Sequence, residues 1–100
     1  MDLVARRLRE ARRLSGLSQE RLGVLAGIDE MSASARMNQY ERGKHVPDFG
    51  TLSRIAAVLK VPGSYFYAVD NDEAALLVRF HRMTQTQRAK VIALVRELIP

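Results

Sequence analysis

Two short stretches decide the fold: Leu17-Ser18-Gln19-Glu20-Arg21-Leu22 and Tyr40-Glu41-Arg42-Gly43-Lys44. Ser18 is a hydroxyl of the kind that caps a helix, and the amide and acid after it suit the positive end of the helix dipole. Gly43 stands where helices commonly stop, and Pro47 opposes continuation. Gly27 suits a turn between them. The segment therefore predicts helix, turn, helix, and a tandem pair flanked by basic residues can set its second helix in a DNA major groove.

Working outward, residues 2–15 predict a helix with Val4, Leu8 and Ala11 on one face. Arg6, Arg7, Arg9 and Arg13 fill its remainder and read mainly as a solvated face, from which one or two can reach phosphate. Residues 19–26 predict the next helix, with Leu22, Leu25 and Ala26 inward. Residues 28–32 predict a connector, and residues 33–42 a third helix. Residues 49–60 predict a fourth helix through Leu52, Ile55, Ala56 and Leu59. Pro62-Gly63-Ser64 opens a short fifth helix, whose Tyr65, Phe66 and Tyr67 read as core. After the acidic start Asp70-Asn71-Asp72-Glu73, residues 72–83 predict a sixth helix. Thr84 caps a seventh that runs to about Leu98. No segment alternates like a strand, so the expected class is all-α. The expected division is a DNA-binding domain over residues 1–69 and a helical extension over residues 70–100.

Composition narrows the function classes. Hydrophobic residues make up 47% of the 100, enough for a core, so disorder is not expected. The net charge of +5 suits an anionic partner. Its placement says more: residues 1–60 hold eleven Lys/Arg against seven Asp/Glu, while residues 61–100 hold five against four. The chain has no cysteine, which excludes disulfides, thiolate nucleophiles and cysteine-based zinc sites. No apolar run approaches the roughly 20 residues of a membrane helix, and the N-terminus lacks the apolar stretch of a signal peptide. A cytoplasmic protein with no membrane contact is expected. Enzymatic activity is not: His45 and His81 lie far apart in sequence, with no nucleophile–base pairing, Gly-rich phosphate loop or metal-ligand spacing. No cofactor or metal is expected.

Projected at 100° per residue, the third helix puts Ala33, Met37, Tyr40 and Glu41 on one side. Ala35, Gln39 and Arg42 lie opposite, with Ser32, Arg36 and Asn38 on the flanks. The apolar trio belongs to the core, so the other arc, with Ser34 beside it, is the candidate base-reading surface. Arginine suits guanine, asparagine and glutamine suit adenine, and alanine suits a thymine methyl. Arg42, near the helix end, suits a phosphate better than a base. Lys44 and His45 follow and can track the backbone, although His45 reads equally as a plain loop histidine. An unpaired Glu41 carboxylate would be costly on the inner side.

Residues 3–67 resemble the helix-turn-helix domain of the Cro and lambda-type repressors, the XRE-like group. The resemblance is carried by Leu8-Arg9-Glu10-Ala11-Arg12, Gly16-Leu17-Ser18-Gln19-Glu20, Leu22, Ala26-Gly27-Ile28, Tyr40-Glu41-Arg42-Gly43-Lys44, Pro47, Leu52-Ser53-Arg54-Ile55-Ala56 and Leu59. It implies five packed helices, the second and third being the DNA-binding pair. It also implies a homodimer on a palindromic operator and a role as transcriptional regulator, here a repressor. By the same resemblance Gln19 holds a backbone phosphate, and Arg12 and Glu41 form a buried ion pair. The sequence departs from the family in three places. The interval from Gly27 to Glu41 is longer, which predicts a looser turn through Asp29-Glu30-Met31-Ser32. Gly23 stands where the family usually has alanine. The segment after residue 70 lies outside the family's minimal domain.

That last segment raises a second reading. Val91, Ile92, Leu94, Val95, Leu98 and Ile99 give the final helix a broad apolar face for its length. Val91, Ile92, Val95, Leu98 and Ile99 are the candidate dimer interface, with packing back on the core as the other destination. The alternative function is an antitoxin-like or accessory protein whose main partner is another protein held by these helices. An RNA-binding role is disfavoured because no sheet carries a stacking platform.

Overall fold

In a computed structural model that describes residues 2–100, the chain is all-helical. The elements are α1 (Leu3–Ser15), α2 (Gln19–Leu25), α3 (Glu30–Glu41), α4 (Phe49–Leu59), a 3-10 turn (Gly63–Tyr67), α5 (Asn71–Arg82) and α6 (Gln85–Leu98). Side-chain caps explain where the α-helices begin. Asp2, Ser18, Asp29, Asp48, Asp70 and Thr84 each accept a backbone N–H of the first turn that follows. The Thr51 amide and hydroxyl hold the Asp48 carboxyl below the usual carboxylate range. That cap is therefore at full strength above the range and weakens as pH falls through it.

The core sits where the first five elements converge. Leu8, Leu22, Met37, Ile55 and Phe66 are its largest fully buried side chains, one from each of α1 to α4 and one from the 3-10 turn. Tyr65 meets Phe66 edge-on at 5.4 Å between ring centres, and its hydroxyl donates to the Arg7 carbonyl at 3.2 Å. Burial, then the nearby Glu10 carboxylate, pushes the Tyr65 hydroxyl pKa up. From α5, Ala74 is buried and Leu77 and Val78 pack against the core. The Arg82 guanidinium donates to the carbonyls of Leu59 and Lys60 at 3.1 and 3.0 Å, which ties the end of α5 to the end of α4. By contrast, α6 buries no residue. The structure measures 50 × 26 × 22 Å along its principal axes.

Several expectations need correction. The expected connector at 28–32 is mostly helix. Asp29 caps α3, and the chain's extra residues lengthen the helix rather than loosen the turn. The turn itself is short, with Gly27 at φ +88° in the left-handed region. Arg7 is 2% exposed, not part of a solvated face. Its Nε and Nη2 donate to the Ala68 carbonyl at 2.9 and 2.8 Å, and Nη2 also reaches Val69 at 3.2 Å. Leu25 and Tyr67, both expected inside, are exposed. Packing back on the core is not where the apolar side chains of α6 go. Val91 is half-buried, while Ile92, Val95, Leu98 and Ile99 are exposed.

The departure at Gly23 has a structural reason. A Cβ there would lie 2.9 Å from the Ala33 Cβ and 3.2 Å from the Ala33 Cα. The first turns of the longer α3 pack directly on this glycine. In an open helix Gly→Ala gains up to about 1 kcal/mol from propensity. Here overpacking costs about 1–3 kcal/mol, so the cost should win. Gly23→Ala is expected to lower the denaturant midpoint without changing the slope of the transition.

Candidate nucleic-acid interface

The candidate site is built on α3 and supported by α1 and α2. Its central contact is the Arg12–Glu41 pair. Arg12 Nε and Nη2 donate to the two carboxylate oxygens of Glu41, the second bond at 3.0 Å. The side chains are 15% and 3% exposed. Arg12 Nη1 donates to the Leu17 carbonyl at 3.0 Å, so one guanidinium links α1, the loop before α2 and the end of α3. Gln19 Nε2 adds donation to Glu41 Oε1 at 3.3 Å and to Asn38 Oδ1 at 3.4 Å. The carboxylate that resemblance assigned to an ion pair is thus held from two helices. Its fork geometry fixes α3 in direction as well as position.

Ser34, Ala35, Arg36 and Asn38 are exposed, while Ser32 and Gln39 are half-buried. Arg42 and Lys44 are exposed just beyond the last turn of α3. An open hollow of about 670 Å³ separates α1, the start of α2 and one flank of α3. Gln19, Ser34, Asn38 and Arg42 line it, together with Arg9 and Arg13. The structure therefore brings four of the predicted site residues together, Gln19, Ser34, Asn38 and Arg42, with Arg9 and Arg13 beside them. Ser32 and Arg36 project on the opposite flank of the helix, away from the hollow, by the 100° spacing.

Sequence reasoning left the hollow itself out. Arg9 and Arg13, two of the four α1 arginines read mainly as a solvated face, are exposed and form one wall of it. Their one-turn spacing on α1, beside Arg12, was the available signal. Glu30 and Met31 were placed in a connector, yet they form the first turn of α3. Among the described residues no group of three His, Cys, Asp or Glu side chains could hold a metal ion, and no helix is long and apolar enough to cross a membrane.

Comparison with known proteins bears on the same region. The family described as a helix-turn-helix domain matches residues 3–64. Among solved structures, the chain is similar to the transcriptional regulator BswR, with 40% sequence identity, 93% of this chain and 92% of that chain covered, and a TM-score of 0.86. No curated protein matches.

Removing one partner of a buried ion pair leaves the other charge unpaired, at roughly 3–5 kcal/mol. Glu41→Ala should therefore lower the melting temperature clearly. Arg12→Ala should do so at least as much, because it leaves the more buried partner, Glu41, unpaired. The double variant should lose less than the two single losses added together. Three additive, near-zero shifts in a double-mutant cycle would show that the pair does not hold α3.

Proposed function

The chain belongs to the helix-turn-helix family of the Cro and lambda-type repressors, and from that premise we propose that it is a sequence-specific regulator of transcription, acting as a repressor, that reads duplex DNA with α3. The observation that carries this reading is the exposed arc of α3 beside a hollow walled by Arg9, Arg13 and Arg42. The arc supplies hydrogen-bonding side chains for base edges, and the hollow supplies cations for the phosphates on one side. Gln19 stands at the boundary. Its amide already touches Asn38, so a phosphate held there is positioned relative to a base-reading residue. Arg36, Gln39 and Ala35 take the remaining base contacts, with Ser32, Lys44 and Arg42 on the backbone. A cytoplasmic setting goes with this role.

Phosphate contact makes the binding salt-dependent. A dimer that neutralises about 6–10 phosphates should lose roughly 10³–10⁵ in affinity between 50 and 200 mM salt. Gln19→Ala should weaken all sequences evenly, since phosphates carry no sequence information. Arg36→Ala, Asn38→Ala and Gln39→Ala should each flatten preference at particular base pairs, by about 1–3 kcal/mol for a good bidentate contact. Titration on selected and random duplexes checks both. A flat salt response with no preferred duplex removes the regulator reading.

The same proposal makes the protein a homodimer on a palindromic operator, joined through Val91, Ile92, Val95, Leu98 and Ile99. Val95 is 52% and Leu98 68% exposed in the single chain. A second α6 would remove that apolar surface from water and fix the spacing of two recognition helices at roughly 34–36 Å, one turn of DNA. Val95→Glu with Leu98→Glu should leave the fold intact, because neither side chain is buried, and should make the chain monomeric by sedimentation. An unaltered chain that stays monomeric at high concentration and on operator DNA would transfer α6 to a different protein partner.

A further inference from the structure

We propose that Glu30 and Met31, the first turn of α3, are specificity-determining residues that read cytosine and thymine in the major groove. The inference rests on the DNA-reading function proposed above. α3 is anchored from Ala33 onward: Ala33, Met37 and Tyr40 are buried, and Ala33 packs against Gly23. Glu30 and Met31 lie on the N-terminal side of that anchor. They extend the helix by about 4.5 Å beyond residue 33, at 1.5 Å per residue for three residues. Met31 is one turn before Ala35 and continues the exposed arc toward the N-terminus, while Glu30, one turn before Ser34, projects between Met37 and Glu41 and is exposed because it lies beyond the anchored part of the helix. A recognition helix reaches base edges with its N-terminal residues, which puts these two side chains deepest in the groove.

Neither side chain belongs to the core. Met31 is 92% exposed. Glu30 is exposed, and the ion pairs among the described residues are Arg7–Glu10 and Arg12–Glu41, not Glu30. Asp29 already caps the helix by accepting the Met31 N–H at 3.1 Å. Their chemistry is selective. A carboxylate only accepts hydrogen bonds, so it fits the N4 amino group of cytosine and opposes the acceptor edge of guanine. It also repels phosphates, which penalises every sequence that lacks the matching donor. The Met31 side chain is apolar and flexible, suited to contact with a thymine methyl.

The test is selection from a randomised duplex library with the full chain, its Glu30→Gln and Met31→Ala variants, and Arg36→Ala as a reference, each first shown to melt cooperatively. The unaltered chain should select cytosine at one position of each half-site. Glu30→Gln should lose that preference by about 5- to 160-fold and move toward adenine, which an amide reads. Other positions should be unchanged, and random DNA should be bound more tightly. Met31→Ala should lose a thymine at a neighbouring position. If Glu30 only stabilised the helix end, affinity would fall evenly and the selected bases would stay the same, which overturns the inference. If Arg36→Ala changes the selected sequence while both first-turn variants leave it intact, the inference fails and the DNA-reading function stands. If the unaltered chain selects nothing, that function fails and the inference with it.

Discussion

The close approach of α2 and α3 at Gly23 and Ala33 is the constraint on which the rest depends. With 2.9 Å between the Ala33 Cβ and the place of a Gly23 Cβ, the two helices meet nearly backbone to backbone. A larger residue in α2 would push α3 outward. That shift would act on both of the contacts that orient the helix: the packing of Met37 in the core, and the fork of Arg12 on Glu41. Packed interiors transmit small displacements rather than absorb them. A longer α3 and a glycine in α2 therefore go together. The extra turn needs support for Ala33, and only the absence of a side chain at position 23 leaves room for it.

The arginines carry a second constraint. Arg7, Arg54 and Arg82 donate to backbone carbonyls of Ala68, Ala26 and Leu59, while Arg12 serves Glu41 and Arg88 serves the carbonyl of Phe80. Each ties the end of one element to a neighbour. Three of these carbonyls lie near the ends of elements, where no helical N–H is available. The guanidinium suits the task because it spans a distance and still offers several donors. The chain's basic excess is thus partly consumed inside the fold. Among the cations not used in this way, Arg9, Arg13 and Arg42 line the hollow beside α3.

How far the sequence disclosed this differs by element. α1, α2 and α4 were legible because a cap, an apolar period and a stop coincide in each. The Arg12–Glu41 pair was legible through the family resemblance, and its burial follows from the inward projection of Glu41. The start of α3 was not, because Asp29, Ser32 and Ser34 are all competent caps and only packing against Gly23 decides among them. Arg7 was misread for a related reason. It lies between Val4 and Ala11 on the helix, three residues from one and four from the other, at the edge of the apolar arc. Whether such a residue points to water or inward depends on an acceptor supplied by residue 68, which no local pattern announces. The exposed arc of α3 could be projected from periodicity. The hollow beside it required the placement of α1 against α2.

Two parts of the chain have structure without an internal reason for it. The first turn of α3 extends beyond its last supporting contact, and α6 continues past Arg88 with its apolar side chains in water. Short isolated helices are marginal, and most helical stability in proteins comes from burying a face. Thr84 and Gln87 form a reciprocal cap on α6, which secures its start but does nothing for Val95 or Leu98. The Phe80 ring under the Arg88 guanidinium, at 4.9 Å, fixes the angle at which α6 leaves α5. The direction of α6 is thus specified within the chain while its apolar face is left open. The same holds for α3, where Arg12, Glu41 and Gly23 specify the direction of the helix and leave its tip free. Both free surfaces are therefore held by contacts at their bases, so a change in those buried residues alters what the exposed ones can reach.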